Sequence, residues 1–192
     1  MVACRYVKTN TNLPNLTFVK DDARNIAGYG QFDVIFCCGL LYHLDRPKEF
    51  LRLLSSVCRK LLIVQTHFSV GPTAAERLPR FLQSVIPAFL KHENRHGLSP
   101  ITENESLKGR WYVEFANDSA YSQRETKKWA SLDNRRSFWI QREYLLQAVL
   151  DVGFDIVMEQ FDGMQPDIAG TMTRGYYKIE NRGTFIGIKT DH

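Results

Sequence analysis

The sequence has no apolar run long enough to cross a bilayer. Its longest, Val34 to Tyr42, falls well short of the roughly 20 residues that a membrane helix needs. The N-terminal stretch has no apolar core of signal-peptide length. Cysteine is scarce: Cys4, Cys37, Cys38 and Cys58 are not spaced as a disulfide framework. Cys37 and Cys38 sit together inside an apolar run, where a free thiol behaves as a small hydrophobe, which fits a reducing cytosol. No metal-ligand spacing is present, so no metal is expected. Excess charge of one sign is also lacking. A net charge of +4 is too small a bias to argue for nucleic acid by itself. No internal repeat and no low-complexity tract appear. What is left is a soluble, cytoplasmic globular chain of 192 residues, expected to form a single domain over 1–192 and long enough to bury a core.

The apolar pattern predicts an α/β fold. Arg5 to Thr9 reads as the tail of a helix, and Leu16 to Val19 as a short strand. Phe32 to Cys38 is a near-continuous apolar run, as in a strand covered on both faces. A helix follows, with Asp45 as candidate cap and Pro47 in the first turn. Phe50, Leu53, Leu54, Val57 and Cys58 fall on one of its faces. Leu61 to Thr66 is a second buried strand. A helix this short between two strands makes a parallel crossover.

Residues 68–138 break the pattern. They hold five aromatics between Trp111 and Trp129, many charges and no strong strand, and read as an insertion packing over the sheet's C-terminal edge. Leu78, Leu82, Val85 and Phe89 share a helical face limited by Pro79 and Pro87. Regular structure resumes with the helical face Leu145, Ala148, Val149 and Val152, closed by Gly153 at C′. Strands at Phe154–Phe161 and Thr184–Lys189 then form a terminal antiparallel hairpin.

The tract Phe32-Asp33-Val34-Ile35-Phe36-Cys37-Cys38-Gly39-Leu40-Leu41-Tyr42-His43-Leu44 resembles the fourth strand and following turn of class I S-adenosylmethionine-dependent methyltransferases. The proline-started helix, the next strand and the pair Gly153-Phe154 match that family. Leu13 to Arg24 looks like its third strand and the acidic turn after it. Trp129 to Ile140 is similar to members that modify small molecules, sugars or the wobble uridine of transfer RNA. The resemblance implies a Rossmann-like, mostly parallel sheet with flanking helices. It also implies S-adenosyl-L-methionine as cofactor and methyl transfer to a small-molecule acceptor, foremost a hydroxyl oxygen. A transfer RNA base is a less favoured acceptor, and an inactive fragment serving as a partner subunit is the non-enzymatic alternative. One part has no counterpart: the family's first strand with its glycine-rich loop, and the second strand's acidic end. Gly28-Tyr29-Gly30 lies in the wrong place to replace them. The sheet is therefore expected to be N-terminally incomplete, and the chain to bind the cofactor poorly.

Site residues follow from the resemblance and from the residues' own chemistry. Asp22, with the Ala23 backbone, is the candidate adenine contact, and Asp21 replaces it if the register slips by one. A helix-capping or solvated aspartate is the plainer reading. Cys38 and Gly39 would lie beyond the strand's carboxyl end, where open α/β sheets bind ligands. His43 and His67 follow adjacent strands at that edge, and either could take a hydroxyl proton. Tyr42, Trp111, Asn134 and Trp139, with Tyr112 and Glu114, could line an acceptor cavity or simply form the insertion's own core. Arg124, Lys127, Lys128, Arg135 and Arg136 could hold phosphates or form a solvated face.

Overall fold

A computed structural model describes residues 2–72, 77–79, 97–115, 124, 130–131, 134–160 and 181–190. Residues 80–89 of the expected 78–89 helix, Lys127, Lys128, Trp129 and residues 161–180 lie outside the described residues.

After a first helix, α1 (Val2–Asn10), and a short 3-10 turn at Ala23–Tyr29, the first strand is β1 (Phe32–Cys38). Helix α2 (Pro47–Val57) and strand β2 (Cys58–His67) follow, and β1 pairs parallel to β2, as the crossover requires. Helix α3 (Arg142–Asp151), β6 (Ile156–Gln160) and β7 (Arg182–Ile188) complete the main sheet, in the order β1-β2-β7-β6. β7 is antiparallel to both its neighbours, so β1, β2 and β6 run one way and β7 the other. The mostly parallel sheet and its closing antiparallel pair are both present.

Leu16–Val19 is not a strand; the segment is irregular, with Leu16 and Phe18 only half-buried. β1 is the edge of the sheet, and no described backbone hydrogen bond joins residues 16–19 to it. Four residues without a pairing partner do not hold a strand.

The insertion differs more. It contains β3 (Thr102–Asn104) and β4 (Leu107–Val113), which with β5 (Arg136–Ile140) make a three-stranded antiparallel sheet. The β3–β4 turn is Glu105-Ser106, both in the left-handed region at φ 52 and 63. Tight hairpin turns are usually signalled by Asn-Gly or Asp-Gly, and this one carries neither. Its strained glutamate is held by a second contact. The Glu105 carboxylate accepts from the backbone N–H groups of Lys48 (2.8 Å) and Glu49 (2.9 Å). It satisfies orphan donors at the start of α2 and sits at the positive end of the helix dipole. Asp45 does not cap α2: the N-cap residue is Arg46, and the capping carboxylate comes from the hairpin.

Both helices cover one face of the main sheet. Phe50, Leu51, Leu54 and Val57 of α2, with Leu145, Ala148 and Val149 of α3, are buried with Ile35, Cys37, Leu62, Val64 and Phe185. At Gly187 an added Cβ would lie 2.7 Å from Val149 and 2.9 Å from Phe154, so the glycine allows α3 to approach the sheet closely. Lys48 crosses between the helices to Asp151 (2.8 Å), and the Lys48 ammonium and Gln147 amide hold the Asp151 carboxyl below its usual range, Gln147 having the larger effect. β5 ties the small sheet to the carboxyl ends of β1 and β2. Phe138 N–H donates to Leu44 O (2.8 Å) and Ser69 N–H to Ile140 O (2.9 Å). Ser69 and β5 therefore lie at the carboxyl ends of β1 and β2.

The alternation along β1 gives a chemical test. Cys37 and Cys58 face the core and burial pushes the Cys37 thiol up to about 11, whereas Cys38 is exposed. Iodoacetamide at pH 8 should label Cys38 in the native protein and leave Cys37 and Cys58 unmodified by mass spectrometry; labelling of Cys37 at the Cys38 rate would refute the register. Glu105→Ala should lower stability to urea by about 1–2 kcal/mol through loss of the cap. An unchanged midpoint would mean that the cap contributes nothing.

Candidate functional site

The turn after β1 begins at Gly39, in the left-handed region at φ 69. Its N–H donates to Gln65 O of β2 (3.0 Å), and an added Cβ would meet only the Tyr42 hydroxyl, at 3.9 Å, so conformation and not space requires glycine there. Leu41–His43 then form one 3-10 turn, with Leu41 buried as its anchor. This puts Tyr42 and His43 beyond the carboxyl ends of the strands.

His43 meets a buried carboxylate. Its Nδ1 lies 2.8 Å from Glu114 Oε1, and the Glu114 side chain is wholly buried. Ser137 Oγ donates to the same oxygen (2.7 Å), and Ser131 N–H to Oε2 (3.1 Å). Two donors already point at Glu114, which as a carboxylate can only accept; the third contact is then a His43 Nδ1–H donor. The lone pair is left on His43 Nε2. The Asn134 amide donates to His43 O (3.0 Å), and its own N–H donates to Ser131 Oγ (3.1 Å). Residues far apart in sequence thus fix one imidazole.

A cavity of about 250 Å³ opens beside this group. Asp22, Ala23, Arg24, Leu40, His43, Leu44, Phe50, Ala130, Ser131 and Asn134 line it. It brings together Asp22, Ala23, His43 and Asn134. Asp22 is the N-cap of the 3-10 turn and accepts from Arg24 N–H (2.9 Å). The Arg24 guanidinium, bonded to both of its oxygens, holds its carboxyl below the usual range. The capping reading of Asp22 is therefore met by the structure, at a position that also faces the cavity. Asp21 points elsewhere: it accepts from the Tyr29 hydroxyl (2.6 Å), which contributes most to lowering its pKa, and from Asn25.

The other candidates separate. Cys38 ends β1 and donates its thiol proton to Gln65 Oε1 (2.8 Å), outside the cavity lining. His67 ends β2 and stacks on Trp139, centroids 4.8 Å apart and planes 19° from parallel. Tyr42 stands edge-on to His67 at 4.6 Å, and Tyr112 stacks on Trp139 at 5.3 Å. Burial, with the Glu114 charge nearby, raises the Tyr112 pKa. Trp139 is buried, so it supports His67 rather than presenting a face. Trp111 lies on the opposite face of β4, edge-on to Phe138 at 5.1 Å, with Arg136 over its ring. It is not brought to the others. Arg124 lies over Phe115 at 5.2 Å. Among the described residues no group of His, Cys, Asp and Glu could hold a metal, and no helix is long and apolar enough to cross a membrane.

No protein-family model matches the chain, and no curated protein matches it. Among solved structures, the N-terminal domain of EvdMO1 with SAH bound superposes with a TM-score of 0.51 at 17% identity, over 88% of this chain and 52% of that one. The fold is that of class I S-adenosylmethionine-dependent methyltransferases. The same EvdMO1 domain in the presence of SAH and D-fucose gives 0.50 at 16% identity, over 88% and 53%. Magnesium protoporphyrin IX methyltransferase (ChlM) from Synechocystis PCC 6803 with bound SAH gives 0.46 at 12% identity, over 97% and 56%. The chain spans about half the length of these methyltransferase-fold structures.

Glu114→Ala should strand three donors in a buried site and destabilise the protein by roughly 3 kcal/mol or more. Urea unfolding with an unchanged slope measures this. A loss under about 1 kcal/mol would show that the donors find water, and the cluster would not be structural.

Proposed function

We propose that this chain is a methyltransferase that uses S-adenosyl-L-methionine and transfers a methyl group to a hydroxyl oxygen of a small molecule. The observation that carries the reading is the His43 imidazole on the wall of the cavity beyond β1, with the buried Glu114 carboxylate behind it. A hydroxyl is a poor nucleophile until a base takes its proton. A neutral imidazole whose other nitrogen donates to a buried carboxylate is suited to that task.

The described residues fit the adenosine end of such a cofactor. Ala23, Leu40, Leu44 and Phe50 give apolar walls for a flat ring, and Asp22 supplies a carboxylate at the rim. When bound, the cofactor supplies an already activated methyl group on a positively charged sulfur. The chain's own work is then positioning and proton removal. His43 Nε2 would take the acceptor's hydroxyl proton, while the pair of the broken carbon–sulfur bond would stay on sulfur and leave as S-adenosylhomocysteine. Glu114 keeps the ring oriented and stabilises the imidazolium that results. Ser137 and Ser131 donate to Glu114 and hold its carboxylate in place, and Asn134 fixes the His43 backbone. His67 is held between Tyr42 and Trp139, outside the lining of this cavity. The EvdMO1 domain was crystallised with D-fucose present, a molecule rich in hydroxyls, which agrees with an acceptor of this class.

Radiolabelled S-adenosylmethionine with a panel of sugars and phenols tests the reading. Transfer should be found with at least one hydroxyl compound. His43→Ala should slow it ~100-fold or more at neutral pH without abolishing cofactor binding. Glu114→Gln should lower kcat more than it raises KM. Transfer that is indifferent to His43 would remove the base from the proposal, and failure to bind S-adenosylhomocysteine even at millimolar concentration would remove the cofactor.

A further inference from the structure

The carboxyl ends of β1 and β2 carry a second group of polar side chains, to which the methyl-transfer reading gives no part. Helices α2 and α3 cover the face of Ile35, Cys37, Leu62, Val64 and Phe185. Alternation therefore puts Cys38 of β1, Gln65 and His67 of β2, and Arg182 of β7 on the other face. Cys38 lies beside Gln65, and His67 stands directly opposite Arg182. Gln65 Oε1 accepts from Arg182 Nη2 (2.8 Å) and from the Cys38 thiol (2.8 Å). That contact holds the guanidinium without neutralising it. Among the described residues no carboxylate pairs with Arg182, and its Nε is buried without a hydrogen-bond partner. Native proteins rarely leave a buried donor so, and a half-buried cation is best satisfied by an anion. Cys38, on the far side of Gln65, is exposed, so the group opens to solvent there.

We infer that Arg182 binds a carboxylate carried by the methyl acceptor, a ring compound bearing both a hydroxyl and an acid group. The binding rests on Arg182 and its neighbours; that the ligand is the acceptor rests on the methyl-transfer reading. Position favours it. The Tyr42 ring lies 4.2 Å from the His43 ring and 4.6 Å from the His67 ring, between centroids. Arg182 is the cross-strand neighbour of His67, at a Cβ separation of ~5 Å. The proposed base and the guanidinium therefore flank one aromatic ring, on the order of 10 Å apart. A six-membered ring with a hydroxyl at one end and a carboxylate at the other, hydrogen-bonded at ~2.8 Å on each side, covers that span. Charge favours a carboxylate over a phosphate. A planar guanidinium matches a monoanionic carboxylate with two parallel bonds, whereas a dianion calls for a second cation, and Cys38, Gln65 and His67 supply no lysine or arginine. Neither Arg182, Gln65 nor Cys38 lines the cavity assigned to adenosine, so the acid and the nucleoside do not compete for the same walls.

Titration of the full 192-residue chain, isotopically labelled, with four probes reads the outcome. The probes are 4-hydroxybenzoate and D-glucuronate, and their neutral counterparts 4-hydroxybenzamide and D-glucose. At least one acid should shift the Arg182 Nε–H resonance, identified by its loss in Arg182→Gln, and slow the labelling of Cys38 by iodoacetamide. Its neutral counterpart should bind at least ~10-fold more weakly, because a charge-assisted bond is lost. Arg182→Gln should weaken the acid to the level of the neutral compound, and Arg182→Lys should restore part of the affinity, since it keeps the charge and loses the fork. Far-UV circular dichroism confirms that each variant is folded, and the comparison of acid with neutral probe on the wild type needs no variant. Acids that bind no more tightly than their neutral counterparts overturn the inference, as does a folded Arg182→Gln protein that binds an acid as the wild type does. S-adenosylhomocysteine that shifts the Arg182 resonance and displaces the acid would give the carboxylate to the cofactor and overturn the assignment to the acceptor. Binding is read without turnover, so acid binding with no methyl transfer to any hydroxyl compound would sink the methyl-transfer reading, and with it the name of acceptor, but not the Arg182 carboxylate site. Equal transfer to acids and neutral compounds would sink this inference alone.

Discussion

The structure at the strand ends depends on one buried carboxylate. Glu114 reaches the end of β4 and gathers the imidazole of the turn after β1, a hydroxyl of β5 and a backbone amide of the 130–131 segment. A carboxylate that far from water is tolerable only with hydrogen-bond donors around it, and three reach it here. The same bonds that neutralise the burial cost hold the small sheet over the main one and present His43 to the cavity. Architecture and chemistry therefore share a single constraint, and neither can be altered alone.

The hairpin that carries Glu114 is itself anchored by a second carboxylate. Glu105 sits in a left-handed turn, where a side chain with a Cβ is strained, and the two amide bonds it accepts at the start of α2 offset that strain. α2 in turn leads into β2, whose carboxyl end places His67. Between them the two glutamates fix the small sheet at opposite ends, one to a helix N-terminus and the other to a turn.

The main sheet was legible because its signals are local. Phe32–Cys38 is a continuous apolar run, Pro47 marks the start of α2, and Gly153 takes the positive φ of 100 that its place after α3 demands. The small sheet was not, because its turn lacks glycine and its strands mix charged and aromatic residues without a period of two, which reads as a polar insertion. Leu16–Val19 has strand composition but no neighbour to bond, a fact no local pattern contains. In the site, the strand-end glycine and histidines stand out by position. The role of Glu114 does not, since it lies 71 residues from His43 and becomes an orienting group only through the pairing of β4 with β5. Trp111 and Trp139 look equivalent in sequence. The register that puts Trp139 with His67 and turns Trp111 to the other face separates them.

The central claim is that the cavity between the Asp22 turn and His43 receives the adenosine end of S-adenosylmethionine. Amide chemical-shift mapping on the isotopically labelled chain, titrated with S-adenosylhomocysteine to about 5 mM to allow for weak binding, tests it most directly. Saturable shifts confined to residues 22–24, 39–44, 131 and 134 are the result predicted. Shifts centred elsewhere on the chain, or none at that concentration, would contradict it.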